Sequence, residues 1–143
     1  MIEHPLENMS IDELENYKFP NTSDLFSVVG LKDKAKDIYE NSHYAVTADP
    51  RLPGLFEFGW WLRGFEQFCI DLASNQEFVE VFLDKIVCLY KNVYSKYLEE
   101  ISDYVNIVEV CCDYCKYIDV VMSPKIFKKL FKPRIREYIQ FIK

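Results

Sequence analysis

From Gly54 to Asn75 the chain reads GLFEFGWWLRGFEQFCIDLASN, and no other stretch restricts the fold as much. Leu55, Phe58, Trp61 or Leu62, Phe65, Phe68 or Cys69, and Leu72 recur every three or four positions, the spacing of one buried helical face. Arg63 and Glu66 interrupt that face, while Phe56, Trp60 and Trp61 add more aromatic area than one stripe requires. Two arrangements would explain the crowding. One is a packing joint between helices; the other is a pocket wall of aromatics carrying Arg63 and the carboxylates Glu57 and Glu66. Sequence physics favours the joint. The spacing predicts one helix from the DPRLPG loop to about Ser74.

Asn75 breaks this helix, and Gln76 to Tyr104 begins another. Phe78, Val79, Phe82, Leu83, Ile86, Val87, Tyr90, Val93, Tyr94, Tyr97, Leu98 and Ile101 hold helical spacing, which predicts a rod of roughly 40 Å. Upstream, Ser10 and Glu13 form a capping-box pattern for a short helix to about Tyr17, which Pro20 stops. Leu31 to Asn41 reads as an exposed amphipathic helix. Tyr44 to Ala48 (YAVTA) and Val105 to Cys111 (VNIVEVC) are short, apolar and β-prone, and each reads as a strand. Ser123-Pro124 starts a last helix with Ser as N-cap and Pro at its first position. Pro133 falls inside that helix's apolar pattern and is expected to kink it.

Helices, a strand, long helices, a strand and a helix form the grammar of an α/β chain with parallel strands joined by helical crossovers. Two strands are too few for a closed barrel or a full sheet, and their outer edges would lack partners. The expected organisation is therefore a single partial domain over residues 1–143. Half of the 143 residues are hydrophobic, enough for a real core. The net charge of -6 argues against non-specific nucleic-acid binding, which neutralises phosphates with a basic surface. The run KKLFKPRIR, Lys128 to Arg136, is the lone cationic cluster and reads as the solvated face of a helix. No apolar run approaches the roughly 20 residues that span a bilayer. The acidic start MIEHPLENMS lacks a hydrophobic stretch, so a cytoplasmic protein without signal peptide or membrane contact is expected. Five cysteines, three of them at Cys111, Cys112 and Cys115, read as thiols in such a reducing compartment.

Three stretches carry a resemblance to a known family: HPLENMSIDELENYKFPN, GLFEFGWWLRGFEQFCIDLASNQEFVEVFLDKI and MSPKIFKKLFKPRIREYIQFIK. Their order and wording resemble the uroporphyrinogen decarboxylase superfamily, which includes the decarboxylase of porphyrin biosynthesis (a lyase) and the corrinoid-dependent methyltransferases. In those proteins the middle stretch reads like G-L-F-E-x-x-W-x-L-R-G-F-E and the last like S-P-x-x-F-x-x-F-x-K-P. The resemblance implies an α/β fold of a specific kind: a partial TIM (β/α)8 barrel, with about two parallel strands and long crossover helices. The chain would be a fragment or truncated member covering the central units. The whole protein's activity would be decarboxylation of a tetrapyrrole or corrinoid-dependent methyl transfer, and the isolated chain would be inactive. Zinc and a corrinoid are cofactors of the complete enzymes, with none expected in this segment. Expected partners are a small-molecule substrate (a tetrapyrrole or methyl donor) in the complete barrel, and a corrinoid protein. A second reading is a non-catalytic remnant that binds a partner, or assembles with itself, through its open sheet edges.

The resemblance also assigns positions. Relatives carry a Gly-Asp-Asp-x-Gly turn after the second strand, and of it this chain keeps Asp113, within Cys111-Cys112-Asp113-Tyr114-Cys115. Asp113 is thus the candidate catalytic residue, at a strand end where barrels keep their active sites, the alternative being a turn residue bonded to its own backbone. Candidate substrate-binding residues are Asp49, Arg51, Trp60, Trp61, Arg63 and Glu66. Asp49 and Arg51 follow the first strand, in what is otherwise a solvated loop. Arg63 and Glu66 would form an i,i+3 ion pair, or Arg63 would fork onto a substrate carboxylate or phosphate. Trp60 and Trp61 would line an apolar pocket or pack in the core. The Cys112-x-x-Cys115 pair reads as ordinary thiols before zinc or redox chemistry, since neither His4 nor His43 has ligand spacing.

Overall fold

The apolar stripe from Phe78 to Ile101 gathers the rest of the chain. In the computed structural model, which describes residues 3–111, 115–116, 119–120 and 122–143 (the pairs at 115–116 and 119–120 by backbone alone), it forms a single helix, α6 (Gln76–Ile101). Its 26 residues span about 39 Å. Phe78, Val79, Phe82, Leu83 and Ile86 are completely buried on one side of it. The preceding elements are α1 (Ile11–Asn16), α2 (Thr22–Leu25), α3 (Leu31–Asn41), β1 (Thr47–Ala48), α4 (Leu55–Arg63) and α5 (Phe65–Ser74). After α6 come β2 (Ile107–Val108), β3 (Cys115–Lys116), β4 (Asp119–Val120), α7 (Pro124–Ile126) and α8 (Lys132–Ile142). Helices α1, α2, α3, α4, α5 and α8 all pack on α6. Leu6, Leu14, Phe56, Phe68, Phe131 and Tyr138 bring their side chains into the same core.

Local signals placed several elements where the sequence put them. Ser10 accepts the Glu13 N–H, and the Glu13 carboxylate accepts the Ser10 N–H at 2.8 Å, completing the capping box of α1. The Ser10 N–H, and then the Ser10 hydroxyl, donate to the Glu13 carboxylate and hold its pKa below the ordinary value. The exposed helix α3 covers Leu31–Asn41, as its charge pattern requires.

The partial barrel does not form. The described residues are 67% helical, and the parallel sheet is two strands of two residues each. Thr47 pairs with Ile107 and Ala48 with Val108, parallel as expected. Beyond that core the β-prone runs stay out of ladder geometry. Ala48 is buried, but Thr47 and Ile107 are exposed, and neither outer edge has a neighbour among the described residues. A β-branched run extends as a strand when flanking strands satisfy its backbone and a layer covers its side chains. Here the apolar area is invested in helices packed on α6, so the chain is a mostly helical protein with a vestigial sheet. A second small pairing, β3 antiparallel to β4, was not expected.

The predicted helix over 55–74 is also two helices. Gly64 adopts φ 87°, a left-handed value that ends α4 and starts α5. A Cβ there would lie 3.3 Å from the His4 ring. The two helices fold closely together because Gly59 presents no side chain: a Cβ on it would come within 2.3 Å of the Phe68 ring. In the last helical stretch, Pro133 acts through a widened turn. Residues Phe127–Phe131 are π-helical, and the Lys132 N–H donates to the Phe127 carbonyl, five residues back. A wider turn just before a proline relieves the clash of its ring with the preceding carbonyls.

Candidate functional site

The parallel pairing brings the loop after β1 and the segment after β2 to one end of the molecule. Asn106 and Ile107 donate their N–H groups to the Val46 carbonyl at 2.9 and 3.2 Å, and Glu109 donates to Ala48 at 2.9 Å. The Asn106 side-chain oxygen accepts the Val46 N–H at 2.9 Å. Immediately beyond, Asp49 accepts the Arg51 N–H at 2.7 Å and turns the chain sharply. Arg51 takes φ 56°, an uncommon value for a residue with a side chain. The loop then descends into α4, where the Pro53 carbonyl accepts the Tyr90 hydroxyl at 2.5 Å.

Glu57, in the first turn of α4, reaches back to the Gly54 N–H at 3.4 Å, and its other near neighbour is the Cys111 Sγ at 4.0 Å. From α6, the Tyr94 hydroxyl donates to the Glu109 carbonyl at 3.0 Å. Burial, and then the negative charges of Asp49, Cys111 and Glu109, push the Tyr94 pKa up to about 12. Burial followed by Asp49 raises Tyr97 as well. Both phenols therefore stay protonated near neutral pH, and Tyr94 serves as a donor rather than a base. This end of the protein gathers carboxylates, a thiol and Arg51 around the two strand ends.

Arg63 belongs to a different neighbourhood. Its Nε donates to Asp71 Oδ2 at 2.7 Å, and one terminal nitrogen donates to the Leu6 and Met9 carbonyls at 2.5 and 2.8 Å. The guanidinium lies 4.1 Å above the Phe78 ring centre. Gln67 donates to the second Asp71 oxygen at 3.0 Å. The ion pair of Arg63 is thus with Asp71 rather than Glu66, which is exposed. The joint reading describes this corner: Arg63 fastens the N-terminal segment to the α4–α5 turn. An isolated Asp71 beside Phe68 and Leu72, on an otherwise apolar face, was the sequence signal for it.

Trp60 and Trp61 stack edge to face with centroids 6.0 Å apart, and Trp60 meets Phe65 at 6.3 Å. The Trp61 carbonyl accepts a hydrogen bond from His4 Nδ1 at 2.8 Å. Phe56 is buried against Phe68 and Phe131. None of these three rings lines the cavity of about 350 Å³ that opens between the N-terminal segment, the β1–α4 loop, α4 and α6. Its walls come from Tyr17, Phe19, Pro20, Leu25, Phe26, Pro50, Arg51, Leu52, Phe58, Leu62, Leu89 and Val93. Of the sequence candidates among the described residues, only Arg51 reaches it. The aromatic contribution of Phe19 and Phe26 was missed because both fall in a loop-like stretch without periodicity. A second groove, about 470 Å³, runs between β2 and α8 along Val108, Val110, Ile139 and Ile142.

Asp113 and Cys112, and the side chain of Cys115, lie outside the described residues. Cys69 and Cys88 are thiols outside any disulfide, and burial raises the pKa of Cys69. Among the described residues no three His, Cys, Asp or Glu side chains are grouped to hold a metal ion, and no helix is long and apolar enough to cross a membrane. No family model, curated protein or solved structure matches the chain.

Proposed function

We propose that the chain acts as part of a uroporphyrinogen decarboxylase-like protein, contributing one wall of a site whose chemistry needs further groups. The whole protein would decarboxylate a tetrapyrrole or transfer a methyl group from a corrinoid, in the cytoplasm. The observation that supports this reading is the parallel pairing of β1 with β2, which collects Asp49, Arg51, Glu57 and Cys111 beyond the strand ends. Enzymes with parallel strands build their sites from loops at that end. Arg51 would hold a substrate carboxylate, and Asp113 would act on the reacting group.

Decarboxylating a tetrapyrrole requires several cations to hold its carboxylates and a donor for the charge that develops. Methyl transfer requires an activated thiolate, which zinc supplies in the complete methyltransferases that the sequence resembles. Arg51 alone cannot supply the first, and Cys111 beside Glu57 is poorly placed for the second. The chain by itself is therefore expected to bind without turning over. Quenching of Trp60 and Trp61 fluorescence by uroporphyrin tests binding, and incubation with uroporphyrinogen, or with methylcobalamin and a thiol acceptor, tests turnover. Saturable quenching weakened by Arg51→Gln, with no product, supports the reading. Product formation abolished by Asp113→Ala would overturn the incompleteness of the site, and absence of quenching would overturn the substrate class.

A second reading has its own support. Ile107 is 53% exposed on β2, next to the groove along α8. An edge with apolar side chains and free ladder positions is a template for strand addition, so a non-catalytic role in self-assembly or partner binding remains the competing proposal. Sedimentation across a concentration series tests it: a single monomeric species at every concentration rejects self-assembly.

A further inference from the structure

The cavity behind the β1–α4 loop combines largely hydrocarbon walls with an exposed arginine among its lining residues. Phe19, Phe26, Leu52, Phe58 and Leu89 are among its walls, and Arg51 is the one cationic or acidic side chain among the described residues that line it. We infer that this cavity binds a small monocarboxylic acid with a hydrocarbon body, its carboxylate on the Arg51 guanidinium. This does not depend on the decarboxylase-like reading above.

Size comes first. About 350 Å³ is the room of roughly a dozen water molecules, at the low end of ligand sites. That suits a chain of six to ten or so carbons and excludes a tetrapyrrole macrocycle.

Charge decides the head group. Arg51 is exposed and makes no ion pair among the described residues, whereas Arg63 and Arg134 are bound to Asp71 and Asp84. Lys85, on the neighbouring wall, already donates to the Glu15 and Tyr17 carbonyls at 2.8 and 3.1 Å. A guanidinium presents paired donors that match one carboxylate. A dianion such as a phosphate monoester fits less well, because Asp49 sits in the same turn and no second cation lines the cavity.

Preorganisation is the third point. Pro50 precedes Arg51, Asp49 clamps its N–H, and the Tyr90 hydroxyl holds the Pro53 carbonyl. Arg51 is thereby fixed at φ 56° in a loop pinned on both sides. A cation whose backbone is already set loses less freedom on binding than one on a mobile loop.

The test uses the intact chain, octanoate as probe and 1-octanol as its uncharged counterpart, titrated by calorimetry and by amide chemical shifts. Octanoate should saturate one site, shift the amides of Tyr17, Leu52 and Leu89, and bind about tenfold or more tightly than octanol. Arg51→Gln should abolish that advantage and leave octanol binding unchanged. Leu52→Trp, at a half-buried loop position, should block both probes while leaving the helical circular dichroism intact. The inference is overturned if octanoate fails to saturate, if octanol binds equally well, or if Arg51→Gln leaves octanoate affinity unaltered. It is also overturned if the shifts centre on the α8 groove. Failure of uroporphyrin to bind, with octanoate binding intact, rejects the tetrapyrrole reading alone.

Discussion

Arg63 sits at the corner between α4 and α5 with its side chain 7% exposed, meeting a carboxylate, two carbonyls and an aromatic face. Arg51 stands one loop upstream, exposed, with its backbone clamped and its guanidinium without an ion pair among the described residues. Both were candidates to hold a substrate, and their surroundings separate them. A buried arginine with its donors spent on the fold cannot be released for a ligand without leaving Asp71 unpaired in an apolar core. An exposed arginine with no ion pair among the described residues has no such partner to abandon. The contrast separates a residue that holds the chain together from one that can hold something else.

The largest expected effect breaks the first side of that contrast. Arg63→Met strands Asp71 and releases Leu6 and Met9, and should cost about 3–5 kcal/mol in urea unfolding. Adding Asp71→Leu should recover much of that loss, because the buried charge is then removed with its partner. If Arg63→Met unfolds like the parent, the corner does not fasten the N-terminal segment.

Next in size is the close approach of α4 and α5. Gly59→Ala drives a methyl into the Phe68 ring and should cost about 2–3 kcal/mol by the same measurement. Phe68→Leu in that background should return part of the loss, since the two sites are in contact.

At the other arginine the sign reverses. Arg51→Gly relieves the left-handed backbone and should raise stability by about 0.5–1 kcal/mol, while removing the carboxylate anchor. A destabilised Arg51→Gly would show that the side chain is structural, like Arg63.

The smallest effect is an alkaline limb at the strand ends. The Tyr94 pKa is raised in the folded protein to about 12, so its contribution to stability is intact below the ordinary phenol value. It is lost as pH rises from about 10 towards 12, because the unfolded state releases the proton first. Ultraviolet titration should show Tyr94 among the late-ionising tyrosines, and Tyr94→Phe should remove that component and lessen the limb.

What could be read from the sequence follows the range of the forces involved. The α1 capping box needs only Ser10 and Glu13, and α6 needs only its own apolar spacing, so both were legible. The split at Gly64 was not, because the apolar spacing runs straight through it. A helical pattern records which residues are buried, not whether the axis turns between them. The partner of Arg63 was misassigned for a related reason: Glu66 is nearer along the helix, yet the turn at Gly64 brings Asp71 to it.

The sheet shows the boundary most clearly. The β-prone runs YAVTA and VNIVEVC marked the two neighbourhoods in which strands form, and the long helical segment between them marked the pair as parallel. Tertiary structure decided that only Thr47–Ala48 and Ile107–Val108 would pair. Strand length depends on neighbours along both edges and a covering layer, and these are properties of the assembled fold. The cavity belongs to the same class. Tyr17, Phe26, Arg51 and Leu89 are scattered along the chain, and packing on α6 alone brought them together. Helix-forming stretches were set by local periodicity, while the joint, the short sheet and the cavity arose from contacts between segments distant in sequence.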